Sequence, residues 1–152
     1  MDYQNEMTLT FLSHSVNEGF ARSAVAGFCV QLNPTLDEIN DIKTAVSEAV
    51  TNCVVHAYPN EVGQITIFVG LKEDEVVIKI MDNGVGIENF EEAREPFFTT
   101  KPTEERAGMG FTVMESFMDE VILQKNNERG LIVQLRKVLA KTQSKSSQNG
   151  RL

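Results

Sequence analysis

The sequence predicts an α/β (α+β) fold in two layers, a mixed but mostly antiparallel sheet covered on one face by helices. Three observations predict it. Short alternating segments occur near the start, in the middle and near the end of the chain, helical spacing fills two segments between the first and second of these, and a third, shorter helical segment follows a long irregular stretch. The resulting order of strand, two helices, two strands, irregular stretch, helix and two strands lets helices cover the sheet from one side only.

The elements follow in order. Thr8, Leu9, Thr10 and Phe11 alternate in polarity and predict a strand near residues 7 to 12. Val16 to Leu32 shows helical spacing through Phe20, Ala24 and Phe28. Asn33 and Pro34 break that helix and predict the start of the next, with Asn33 as N-cap, Pro34 at the first helical position, and Asp37 and Glu38 in the first turn, where carboxylates suit the helix dipole. The second helix is predicted over residues 35 to 57. Gln64 to Leu71 and Glu75 to Met81 are β-branched and alternating, joined by a polar turn, and read as an antiparallel hairpin. Residues 82 to 107 carry Gly84, Gly86, Pro96 and Pro102 without a sustained period, the pattern of a functional loop or lid. A helix over Phe111 to Met118, a strand over Val121 to Lys125, a turn over Asn126 to Gly130 and a strand over Leu131 to Val138 complete the domain. Residues 1 to 140 are thus expected to form one domain, and residues 141 to 152, rich in Ser, Gln and Lys, a disordered polar tail.

Composition narrows the function. The chain has 152 residues, 41% hydrophobic and 24% charged, a size and mix suited to a single globular unit. No apolar run approaches the roughly 20 residues that cross a bilayer, and the first residues lack a secretory pattern, so the expected compartment is the cytoplasm with no membrane partner. The two cysteines, Cys29 and Cys53, sit among apolar neighbours in helical patterns and are read as buried free thiols without a chemical role. A formal charge of −8 argues against direct nucleic-acid binding, which depends on cationic side chains. Any role in transcription would run through a protein.

Three constellations carry possible chemistry. Glu48, Asn52 and His56 stand four apart and rise along one side of the second helix, opposite the apolar stripe of Ile39, Ile42, Val46, Val50, Cys53 and Ala57. Taken alone, such a polar stripe is a solvated face. Asp82-Asn83-Gly84-Val85-Gly86 ends a strand, where a carboxylate can accept from an exocyclic amine and two glycines permit close backbone approach to a ligand. Gly108-Met109-Gly110 precedes a helix and exposes backbone N–H groups that suit an anion. Each is weak by itself; their order and placement are not.

That order, with Phe97-Phe98-Thr99-Thr100-Lys101 between the second and third constellations, resembles the Bergerat-type ATP-binding domain shared by gyrase, Hsp90, sensor histidine kinases and MutL, over about residues 45 to 135. Ser47-Glu48-Ala49-Val50-Thr51-Asn52 and Glu95 to Pro102, followed by Gly108-Met109-Gly110-Phe111, are similar to the anti-sigma serine kinases, and the likeness to the anti-sigma-F group of endospore-forming bacteria spans nearly the whole chain. The resemblance implies a serine protein kinase that binds ATP or ADP with Mg²⁺, holds a sporulation sigma factor and phosphorylates a serine on an anti-anti-sigma antagonist. It implies Glu48 as general base, Asn52 as Mg²⁺ ligand and Asp82 as acceptor of the adenine amine. Gly84 and Gly86 would lie along the base. Gly108, Met109 and Gly110 would face the phosphates, with Thr99, Thr100, Lys101 and Arg106 from the lid. Of the two lid cations, Arg106 is expected to contribute more, because a guanidinium can fork onto phosphate oxygens. His56 stays outside the catalytic set. Many relatives carry Thr after the last hairpin glycine, where this chain has Gly130 followed by Leu131, so adenine contacts at that edge are expected to differ.

Other readings compete. A detached histidine-kinase catalytic domain would need a phosphoacceptor histidine on a dimerisation helix, and His14 and His56 do not lie on one. A nucleotide-gated anti-sigma binding module without phosphotransfer is the stronger rival, against which Glu48 speaks, since a pure binder has no use for a carboxylate beside the metal ligand. The eukaryotic H-R-D loop and the G-x-x-x-x-G-K-[ST] phosphate loop are both absent from the sequence. Arg22, beside Phe20 and Ala21 on the first helix, is expected to contact partner proteins. A homodimer is left open.

Overall fold

In the computed structural model, which describes residues 2–86, 110–127 and 129–140, the described residues form five strands and three α-helices. Strands β1 (Asn5–Leu12), β2 (Gln64–Lys72), β3 (Glu75–Asp82), β4 (Glu120–Lys125) and β5 (Leu131–Val138) make one sheet in the order β1-β2-β3-β5-β4. Every pairing is antiparallel, so the sheet described here has no parallel component. Alternation sets the inward face: Ile65, Ile67, Val69 and Leu71 of β2, Val76, Ile78 and Ile80 of β3, and Leu131, Val133 and Leu135 of β5 are buried. Asp82 is in phase with Val76, Ile78 and Ile80. The register therefore carries its carboxylate to the core side at the very end of β3.

Helices α1 (Asn17–Cys29), α2 (Leu36–Asn52) and α3 (Phe111–Phe117) form the second layer. α2 is its centre, packed against both α1 and α3. It buries Ile42, Ala45, Val46, Ala49 and Val50, the i, i+3, i+4, i+7 stripe of an amphipathic helix, while α1 contributes Ala21, Val25 and Cys29. Each fully buried Val, Leu or Ile of this kind favours folding by about 1.5–3 kcal/mol.

Three boundaries differ from the sequence-based expectation. α1 ends at Cys29 and tightens into a 3-10 turn over Val30–Leu32. Asn33 then adopts φ 54°, terminating that turn in the left-handed region, and it does not cap α2. Thr35 is the N-cap: its hydroxyl accepts from Glu38 N at 3.1 Å and its own N–H donates to Glu38 Oε1 at 2.9 Å, a reciprocal capping box one residue beyond Pro34. At the other end α2 stops at Asn52. Cys53–Ala57 forms a π turn, in which Tyr58 N donates to Cys53 O at 3.2 Å, so the predicted continuous helix to residue 57 is broken at the residues that matter for the site.

Outer ties fix the layers. Lys137 Nζ donates to Phe117 O at 2.8 Å and pairs with Asp41 at 3.3 Å, joining β5 to both α3 and α2. Ala140 N donates to Glu38 Oε2 at 2.7 Å, anchoring the end of the sheet to the start of α2. No helix among the described residues is long and apolar enough to cross a membrane.

Candidate nucleotide site

The end of α2, its π turn, the end of β3 and the start of β5 converge on one cleft of about 300 Å³, open solvent included, lined by Asn52, Cys53, His56, Asp82, Gly86 and Leu131 among others. Two polar side chains in it are buried: Asn52 is 7% exposed and Asp82 3%. A solvated helix face would not bury an amide, so that account of the Glu48, Asn52 and His56 stripe fails at Asn52.

Asp82 is held from several directions. Its Oδ1 accepts from Gly84 N at 2.8 Å and from Leu131 N at 3.2 Å, and the Cys53 thiol lies 3.6 Å from Oδ2. Burial pushes this carboxyl above its ordinary value; the Gly84 amide, the Cys53 thiol, the Leu131 amide and the Arg129 charge oppose that push without overcoming it. A carboxylate has about four lone-pair sites, so this set leaves acceptor capacity for a ligand. The Leu131 bond comes from the backbone. Leu in place of Thr therefore costs no support at that edge through the main chain.

The loop after Asp82 is tied down by residues to which sequence patterning gave no role. Tyr58, directly after the π turn, accepts from Asn83 N at 2.7 Å and donates to Gln64 O at 2.7 Å. Burial raises its phenol, with the Asn83 amide opposing and the Asp82 charge adding to the rise. From the β4–β5 turn, Asn126 Nδ2 donates to Asp82 O at 2.6 Å and Arg129 Nε to Gly84 O at 3.1 Å. Two glycines make the close approach possible. A Cβ on Gly84 would lie 2.1 Å from Ala57 O, and one on Gly130, at φ 94°, would lie 2.1 Å from Asp82 O. Hydrogen bonds of Tyr58, Asn126 and Arg129 depend on contacts far away in sequence, so no local pattern signals them. The π turn also lacks a sequence mark.

Glu48 lies one helical turn before Asn52, with its carboxylate against the Gly110 backbone: a Cβ on Gly110 would be 2.3 Å from Oε1. Glu48, Asn52, Asp82, Gly84, Gly86 and Gly110 are thus brought into one region. Thr99, Thr100, Lys101, Arg106, Gly108 and Met109 lie outside the described residues, as does the expected lid from residue 87 to 107. Cys53, a buried free thiol as expected, also contacts the central carboxylate. One expectation requires correction. Ala21, read as part of a partner surface with Arg22, is fully buried in the core. Arg22 itself bonds Glu18 at 2.9 Å and Ser47 at 3.3 Å, and Ser47 bonds the same Glu18 carboxylate, which holds the guanidinium between α1 and α2.

Residues 14–137 match the family model described as histidine kinase-like ATPase domain. The chain is 52% identical to an anti-sigma F factor of Caldanaerobacter subterraneus subsp. tengcongensis over 93% of its own length and 99% of the relative's. It is 54% identical to that of Clostridium botulinum strain Eklund 17B, over 89% of the chain and 95% of the relative. The chain belongs to the anti-sigma F factor family, built on a histidine kinase-like ATPase domain. Among solved structures, the catalytic domain of histidine kinase ThkA aligns with a TM-score of 0.57 at 16% identity, over 88% of this chain and 98% of that one. The RsbU and RsbW domains of a Mycobacterium tuberculosis protein align with a TM-score of 0.64 at 18% identity, over 90% of this chain but 32% of that one. At such identities these two likenesses speak for the fold alone.

Proposed function

We propose that this anti-sigma F family member binds MgATP in the cleft between α2 and the end of β3, retains a sporulation sigma factor in the nucleotide-bound state, and phosphorylates a serine of an anti-anti-sigma protein. The observation that carries this is the meeting of the buried Asn52 and Asp82 side chains in one cleft, with Glu48 one helical turn before Asn52 and against Gly110. Asp82 accepts the exocyclic amine of adenine with the lone pairs its backbone donors leave over. The phosphates extend along α2 toward Glu48 and Gly110. Among the described residues no three His, Cys, Asp or Glu side chains converge as a metal cage. Mg²⁺ is commonly held by one or two protein oxygens together with substrate phosphates, and the buried Asn52 amide oxygen fits that part. The ion, when bound, neutralises phosphate charge.

In the transfer step the serine oxygen forms a bond to the γ-phosphorus while the bond from that phosphorus to the β,γ-bridging oxygen breaks, ADP keeping the electron pair. The serine proton passes to the Glu48 carboxylate. Glu48 need not be a strong base, because this transition state is loose and positioning supplies most of the rate. The cytoplasm is the compartment this reading requires. Partner contact is assigned to the α1 side, where Val16 and Phe20 are exposed near Arg22.

The test is to measure Mg-ATP affinity, sigma retention and transfer to the antagonist in Glu48→Gln and Asn52→Ala. Glu48→Gln is expected to keep both binding functions and to lose transfer by about 10²- to 10⁴-fold. Asn52→Ala is expected to lose metal-dependent nucleotide binding and sigma retention with it. Transfer at the wild-type rate by Glu48→Gln removes Glu48 as the base. Sigma retention by wild-type protein without any transfer favours the nucleotide-gated binding module.

A further inference from the structure

The two cysteines behave differently. Cys29 of α1 is fully buried, has no polar partner among the described residues, and burial alone drives its thiol up to about 12. It packs as a small apolar side chain. Cys53 begins the π turn, lines the cleft, is 4% exposed, and places Sγ 3.6 Å from Asp82 Oδ2. At that distance the thiol is placed to donate to the carboxylate oxygen. The backbone amides of Gly84 and Leu131 both act on Oδ1. They hold one oxygen and leave the other dependent on different contacts for its direction.

We infer that Cys53 is a positioning residue for base recognition: its thiol, donating to Asp82 Oδ2, sets the direction of the lone pair that meets the exocyclic amine of adenine. The inference rests on the reading of Asp82 as the adenine acceptor. Cys53 touches no reacting atom and acts only through Asp82. Cys53 keeps helical geometry at the end of α2, at φ −65° and ψ −43° with its N–H bonded to Ala49 O, and there it lies both beside Asp82 and on the wall of the cleft. A thiol is a weak donor, so its effect is a preference among bases and not an all-or-none requirement.

The experiment titrates full-length wild type, Cys53→Ala, Cys53→Ser and Asp82→Asn with ATP and with inosine triphosphate, whose base has a carbonyl in place of the amine, each with Mg²⁺. Thermal unfolding without nucleotide accompanies each titration to verify folding. Cys53→Ala is expected to lose about 3- to 10-fold in ATP affinity, the range of one modest hydrogen bond, while its affinity for the inosine nucleotide changes less than about 2-fold. Cys53→Ser, which keeps a donor, is expected to hold the ATP-to-inosine ratio within about 2-fold of wild type. A ratio unchanged in Cys53→Ala, or an equal loss of both nucleotides in the Ala and Ser variants, overturns the inference and leaves Cys53 a packing residue. A wild-type ratio in Asp82→Asn overturns the base-reading role of Asp82 itself, whereas a collapsed ratio there with an unchanged one in Cys53→Ala confines the failure to the thiol.

Discussion

Glu38 and Asp82 each accept two backbone N–H bonds, yet their carboxyl groups are driven in opposite directions. Glu38 uses one oxygen for Thr35 N and the other for Ala140 N, near the surface at the start of α2. Partial burial pushes it up, but the Ala140 and Thr35 bonds and the Lys137 charge together bring it below its ordinary value. Asp82 receives Gly84 N and Leu131 N on a single oxygen at the end of β3 in the sheet, and there burial prevails. Water still solvates Glu38 and little of it reaches Asp82. Two amide donors are enough to make an ionised carboxylate favourable at the surface and not enough at 3% exposure. One carboxylate is a clasp. The other is an acceptor whose charged form burial disfavours.

The largest expected break in this contrast comes from Gly130→Ala. The added methyl meets Asp82 O at 2.1 Å and the residue has φ 94°, so the variant is expected to cost about 3 kcal/mol of stability and to lose ATP binding, read by urea unfolding and titration. Next in size is Thr35→Ala, which removes the hydroxyl half of the capping box. It is expected to cost about 1 kcal/mol and to leave ATP affinity unchanged. An altered affinity would show that the two ends of α2 are coupled.

The finest prediction is the pH dependence, compared by urea midpoints from pH 3 to 7 in wild type, Glu38→Gln and Asp82→Asn. Asp82 binds its proton more tightly folded than unfolded, so its contribution to stability is full at low pH and is lost as pH rises through its raised native value. Glu38 does the reverse: its contribution is present above the ordinary glutamate value and is lost as pH falls through its lowered native one. Asp82→Asn is therefore expected to gain stability relative to wild type as pH rises, and Glu38→Gln to lose less than wild type on acidification. Parallel curves for all three proteins would erase the distinction between clasp and acceptor.

Much of the sheet was legible because period-2 alternation is enforced by burial. The hairpin of β2 and β3 ends one residue later on each strand than predicted, and β5 ends where predicted. Asp82 could be singled out because an acid closing an apolar strand before two glycines is unusual. The start of α2 was misplaced because Asn33, Pro34 and Thr35 all suit a helix start, and only the reciprocal bonds of Thr35 and Glu38 decide among them. Its end was misread because Val54, Val55 and Ala57 continue an acceptable helical pattern while the backbone has changed its hydrogen-bond step. The contact of Cys53 with Asp82 is not legible in the sequence, because the partner lies 29 residues away and nothing local marks it.

The bond from Leu131 N to Asp82 spans 49 residues, and the clamp from Asn126 spans 44. During synthesis the end of β3 leaves the ribosome long before the strand that completes its wall. A nascent chain that has exposed Glu48, Asn52 and Asp82 still lacks the Asn126, Arg129 and Leu131 contacts. The wall around Asp82 is therefore complete only once the last hairpin has emerged and folded back.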